Sequence, residues 1–267
     1  MIVGTIYLLS ILFGGDIAIF FVDELDKGVK EYVVDKERRG DILADLKVSK
    51  KSIKQFNKDR KKQFKIYKKL NASRSVTREE LNNFYVELHN DRLLFQDKII
   101  DDRIAIIKKI QPGEWVAIIA LAEETIDKRK EKAQKKADKK REKALKKDPD
   151  YVEEDESFKK TRKAIQEEVI DMSKGQLVIR GLDDMISSFN TLNSQLRLIN
   201  VEENNTIINQ NTSKEELKKI TKKINKLRGY SFNKLIEMHT LIKENTNEDE
   251  WGKVIKAFNK DLSISIR

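Results

Sequence analysis

The sequence predicts an all-α, elongated protein: two tandem repeats of long antiparallel helices, as helical hairpins or three-helix units, following an N-terminal membrane helix. Three observations lead there. Only two prolines and ten glycines occur in 267 residues, so helix breakers are scarce. Charged residues make up 37% of the chain and hydrophobic ones 39%, which suits thin helix-on-helix cores rather than a deep interior. The third is a recurrence. Thr77, Arg78, Glu79, Glu80 and Leu81, then Arg92, then Glu114 and Trp115, return 136 residues later as Ser213, Lys214, Glu215, Glu216 and Leu217, then Arg228, then Glu250 and Trp251. Of the 45 pairs between residues 77–121 and 213–257, ten are identical, including both tryptophans of the chain. This reads as an internal duplication.

Residues 1–22, MIVGTIYLLSILFGGDIAIFFV, are apolar except for Asp16. As a helix they would span roughly 33 Å, enough for a bilayer core. No basic stretch precedes them and no small-residue cleavage site follows, so they read as a transmembrane anchor or uncleaved signal. Asp16, beside Gly14 and Gly15, is a candidate for packing against another membrane helix, because an unpaired carboxylate in lipid costs about 2.5–3.5 kcal/mol. The chain then divides into a first helical unit with a charged extended helix, residues 23–148, and a second unit, residues 149–267.

Residues 25–70 carry apolar side chains at steps of three and four, through Leu25, Val29, Leu43, Leu46, Ile53, Phe56, Phe64 and Tyr67. That spacing predicts one long amphipathic helix, or two in line with a break near Gly40. Its other face is basic and includes Lys61, Lys62 and Lys65. Thr77 with Glu80, and Ser213 with Glu216, are capping boxes. Each predicts a helix, running to Lys109 and to Glu244 respectively. Short breaks at residues 111–113 and 245–247 then lead into a further helix, which should fold back as an antiparallel hairpin. Residues 158–200 read as the counterpart of the first long helix.

Residues 127–147 hold twelve Lys or Arg against four acids, with almost no apolar face. Acid–base pairs four apart, such as Glu131 with Lys135, predict a solvent-exposed helix that serves as a spacer or an electrostatic contact. The net charge of +10 and pI near 9.4 suit anionic partners without choosing among them. With no cysteine, disulfides and thiolate chemistry are excluded and the redox compartment is undetermined.

No Gly-rich phosphate loop, nucleophile elbow or paired metal motif is spelled out. The two histidines, His89 and His239, occupy non-equivalent places in the repeat. An enzyme is therefore not expected, nor a cofactor, a metal or a small-molecule substrate. Arg92 with Arg228, and Trp115 with Trp251, share repeat positions. They read either as a protein-binding surface with Lys61, Lys62 and Lys65, or as structural groups, each Trp closing a hairpin and each Arg pairing with an acid such as Glu114 or Glu250.

A Thr-x-x-Glu signal opening a long charged helix, followed about 35 residues later by Glu-Trp opening another, resembles the small helical periplasmic proteins of the Spy and CpxP type and the related heavy-metal-resistance sensors. Their paired Leu-Thr-x-x-Gln motifs correspond to residues 76–80 and 110–114, with Glu in place of Gln. The resemblance implies an envelope protein that shields exposed client segments or senses stress, its two units standing for a dimer. The family's metal-binding histidines have no equivalents here. The expected function is a non-enzymatic, membrane-anchored helical protein that binds other proteins through a basic amphipathic surface. A structural or spacer subunit of a membrane assembly is the alternative, and nucleic-acid binding through the Lys-rich helices a second one. The resemblance places the body in the periplasm, whereas the density of lysine and arginine after Lys36 places it in the cytoplasm.

Overall fold

The structure, a computed structural model, describes residues 25–147 and 157–264. Among these residues it is all-helical, without strands. The expected membrane segment, residues 1–22, lies outside them. Among the described residues no helix is long and apolar enough to cross a membrane.

The first half comprises α1 (Leu25–Tyr32), α2 (Lys36–Ala72), α3 (Arg78–Lys108) and α4 (Pro112–Lys147). The second comprises α5 (Lys159–Glu168), α6 (Met172–Glu202), the short α7 (Asn204–Ile208), α8 (Lys214–Glu244) and α9 (Glu248–Ile264). The starts of α2, α3 and α4 recur in α6, α8 and α9 at an offset of 136 residues, and so do the ends of α1 and α3. Local chemistry sets these starts. Thr77 and Ser213 each complete a capping box, accepting the backbone N–H of Glu80 or Glu216 while that glutamate takes the cap's own N–H.

The break expected near Gly40 falls instead at residues 33–35. Asp35 caps α2 by accepting the Arg38 N–H at 2.8 Å, and Asp171 caps α6 through Ser173 and Lys174. A carboxylate at the first turn supplies a partner for orphan N–H groups, whereas Gly40 only weakens a helix that continues through it.

Helices α2 and α3 pack together through a tight turn, α6 packs on α8, and α3 on α8. The returning helices do not close as simple hairpins on α3 and α8. The principal partner of α4 is α1, and α9 packs on α5 and α2 as well as on α8. One apolar core gathers α2, α3, α5, α6, α8 and α9, from Phe64, Tyr67 and Phe84 to Phe189, Phe232 and Phe258. A smaller one joins α1 and the start of α2 to the end of α3 and the start of α4, through Val29, Ile42, Ile107, Trp115 and Ile118. The larger core therefore takes side chains from both halves of the chain.

Candidate functional site

Helices α3 and α8 cross antiparallel. Lys214 at the start of α8 pairs with Asp101 at 2.6 Å, while Gly229, two turns before the middle of α8's second half, lies against the Tyr85 hydroxyl. Between these ends runs a buried polar seam. Gln96 and Asn225 exchange amide hydrogen bonds, Nε2 to Oδ1 at 3.3 Å and Nδ2 to Oε1 at 2.8 Å, and Arg228 donates to Asn225 Oδ1 at 2.6 Å. Arg60 enters from α2, donating to the Leu88 carbonyl and to Asp91, both at 3.0 Å. Its guanidinium covers the Phe56 ring at 4.6 Å, and that of Arg92 lies 5.8 Å from the same ring.

Arg60, Arg92 and Arg228 are all buried. Burial, and then the neighbouring Arg60, pushes Arg92 down to about 9, and burial does the same to Arg228. Both stay protonated at neutral pH and are unsuited to act as bases. The seam contains hydrogen-bonded charge that fixes the crossing of α2, α3 and α8.

Sequence reasoning paired Arg92 with Glu114 and Arg228 with Glu250, and geometry separates them. Lys108, the last residue of α3, is sixteen residues beyond Arg92, about 24 Å of helix. Glu114 is instead gripped by both guanidinium nitrogens of Arg38, at 2.6 and 2.8 Å. Burial would raise its carboxyl, yet Arg38 and the Gln111 N–H hold it below the ordinary value. Glu250 is lowered mainly by backbone N–H groups, of Ile170 at 3.0 Å and of Asn247 at 2.8 Å.

The two tryptophans lie at opposite ends of the α3–α8 pair, and each reaches into the other half of the chain. Trp115 donates its indole N–H to the Ile208 carbonyl at 2.7 Å, and Trp251 donates to Ala72 at 3.3 Å. Beside Trp115, Gln210 donates to the carbonyls of Ile110 at 2.5 Å and Ile107 at 3.4 Å, and Arg103 to that of Ile207. Beside Trp251, Arg74 donates to the carbonyls of Thr246 at 2.6 Å and Lys243 at 3.1 Å, and His239 meets Asn71 Oδ1 at 3.0 Å. Shifting each residue of one set by 136, forward for those in the first half and back for those in the second, gives the corresponding residue of the other. The relation is the reciprocal one of a two-fold interface, and it satisfies carbonyls that end helices or follow them.

Trp115, Trp251, Arg92 and Arg228 are therefore interior groups, all 4% exposed or less. Lys61, Lys62 and Lys65 stand exposed on α2, with Lys62 also 2.9 Å from Asp59. Gly14, Gly15 and Asp16 lie outside the described residues. Missed by sequence reasoning were Gln96 with Asn225, the Arg74 and Gln210 clasps, and the Arg38–Glu114 pair. The offset of 136 was the available signal for the clasps, since it extends beyond residues 77–121 to the two caps Asp35 and Asp171.

Among the described residues no three His, Asp or Glu side chains converge to hold a metal ion. An open cleft of about 660 Å³ lies at the elbow between α3 and α4, lined by Asp35, Glu37, Arg38, Asp41, Lys108 and Lys109 among others. Its mixed charges face solvent without a converging nucleophile, base and oxyanion donor, the set that catalysis of acyl or phosphoryl transfer uses. No protein-family model, curated protein or solved structure matches the chain.

Proposed function

We propose that this is a non-enzymatic, membrane-anchored helical protein, made of two duplicated units packed as an internal pair, that binds other proteins through a basic surface. The envelope is its proposed location, with a chaperone-like or stress-sensing role as the resemblance to the Spy and CpxP type implies. One observation carries the reading. Lys51, Lys54, Lys58, Lys61, Lys65 and Lys69 form an exposed stripe on α2, and the positions 136 residues later on α6 and α7, also exposed, are Ser187, Asn190, Ser194, Arg197, Val201 and Asn205. Neither set contributes to a core, so packing does not dictate the charge of either. Such a stripe, about 27 Å long on a helix whose opposite face is buried, suits an extended acidic segment of an unfolded or partly folded client.

The test is aggregation of an acidic client with the full chain present. Protection should weaken with salt and be lost in Lys61→Gln, Lys62→Gln, Lys65→Gln; a triple variant as protective as the parent would overturn the reading. The spacer alternative draws on residues 127–147, where Lys130 with Asp127 and Lys135 with Glu131 pair along a part of α4 whose described side chains are all exposed.

A further inference from the structure

Helix α4 leaves the body of the protein partway along its length. Among its described side chains Ala122 is the last that is buried, and every one from Asp127 to Lys146 is exposed. Residues 127–147 carry twelve Lys or Arg and four acids, a net +8 in a chain whose total is +10. Three of those acids are engaged along the helix itself: Asp127 by Lys130, Glu131 by Lys135, and Asp138 by Gln134. The segment has no aromatic residue. It can neither stack on bases nor sink an apolar face into lipid, so what it offers a partner is positive charge.

The direction of this arm is set by α1, which runs antiparallel along the start of α4. Val34, just after α1, lies at the Glu114 carboxylate, and Gly28 sits against Ile118, whose side chain would lie 3.0 Å from a Cβ placed there. Farther along, Glu124 is held below its ordinary value by Lys128 first and also by Lys27. The pairing of α5 with α9 has the same sense, since Lys253 pairs with Glu168 while Thr161 bonds Asp261. Leu25 therefore stands level with the point where α4 departs from the core. The apolar residues 1–22 precede Leu25 closely in the chain. Leu25 and the departure point of the arm therefore lie at the same end of the body.

We propose that residues 127–147 bind the anionic phospholipid headgroups of the membrane in which residues 1–22 are anchored. The placement rests on the anchor reading above; the charge complementarity does not. A cluster of lysines and arginines near a membrane-embedded segment is drawn to anionic headgroups, and the attraction fades within a Debye length.

The chain has no cysteine, so Gln134→Cys in the full chain gives a single labelling site on the exposed arm. The labelled protein is reconstituted into phosphatidylcholine vesicles and into vesicles with about 30 mol % phosphatidylglycerol, each carrying a headgroup quencher, at about 0.1 M salt. Quenching should be at least about threefold greater with the anionic lipid and should fall to the zwitterionic level at about 0.5 M salt. Replacing Lys132, Lys135, Lys136, Lys139 and Lys143 by Gln should abolish the difference. Equal quenching in the two vesicles would overturn the proposal, as would a five-fold variant that behaves as the parent. A label that responds to a short DNA duplex and not to phosphatidylglycerol would overturn it in favour of a nucleic-acid partner. Flotation with purely zwitterionic vesicles reports the anchor separately, so failure of one reading is distinguishable from failure of the other.

Discussion

The indole N–H of Trp115 ends on the carbonyl of Ile208, 2.7 Å away and 93 residues along the chain. Trp251 makes the same contact with Ala72, and both indoles are almost wholly buried. Each bond satisfies a carbonyl at the end of a helix from the other half, where α7 and α2 have run out of intrahelical donors. Trp115→Phe preserves most of the apolar bulk and removes the donor, so it should cost about 1–3 kcal/mol. Trp251→Phe should cost less, since its bond is longer at 3.3 Å. Because the two sites are at opposite ends of α3 and α8, the effects should add in the double variant, as chemical denaturation would measure.

His239 ties protonation to the same clasp. Asn71 donates its amide to Asn259 at 2.8 Å, so its Oδ1 faces the His239 Nδ1–H. The imidazole is edge-on to Trp251, and its Nε2 has no hydrogen-bond partner among the described residues. Burial first, and the charge of Lys243 second, pushes its pKa from 6.5 down to about 4. The folded state thus resists a proton that the unfolded chain accepts, so the neutral ring stabilises the fold above pH 6.5 and that contribution is lost as pH falls towards 4. Near pH 5 unfolding should take up about one proton at this residue. Carboxylates add a slope of the same sign, so the test is the difference from His239→Phe. A parent and variant with equal slopes of unfolding free energy between pH 6.5 and 4.5 would refute the assignment.

Much of this arrangement is legible in the residues, and the unread part has a common cause. Thr77 with Glu80 and Ser213 with Glu216 announce two helix starts, because a capping box is a local arrangement written in four consecutive residues. The amphipathic spacing of Phe64, Tyr67, Leu217 and Ile224 shows which face of α2 and α8 is buried. It does not say against what, and so the return of α4 onto α1 rather than α3 was not foreseen. The break at residues 33–35 was hidden for a related reason: residues 35–41 carry no apolar side chain whose spacing could mark a helix start, and the cap at Asp35 is a single residue. Arg92 and Arg228 were noticed from the recurrence, yet a recurring arginine does not tell a surface from a seam. Their neighbours Gln96 and Asn225 are not equivalent positions, and the offset of 136 gives no hint that they meet.

The caps themselves are open to a direct test. Thr77→Ala and Ser213→Ala remove the side-chain acceptor for the Glu80 and Glu216 backbone N–H groups. Each should destabilise the protein by about 1 kcal/mol. Thr77→Ser and Ser213→Thr keep the acceptor and should cost a fraction of that. Equal losses for the alanine and the conservative variants, measured by thermal unfolding, would show that bulk rather than the cap bond matters at these positions.

The seam makes the sharpest prediction about specificity. Gln96→Leu leaves the Asn225 amide buried without its reciprocal partner, though Arg228 still donates to Asn225 Oδ1. The single change should cost about 1–3 kcal/mol, the desolvation of a polar group left unmade. Asn225→Leu should cost at least as much, because it strips a neighbour from both Gln96 and the Arg228 guanidinium. If the amides act as a pair, Gln96→Leu with Asn225→Leu should be less destabilising than the sum of the singles, by roughly 0.5–3 kcal/mol. The residual loss in the double variant then reports the contact made by Arg228. Strict additivity would mean that the two amides, although 2.8 Å apart, contribute to the α3–α8 crossing independently.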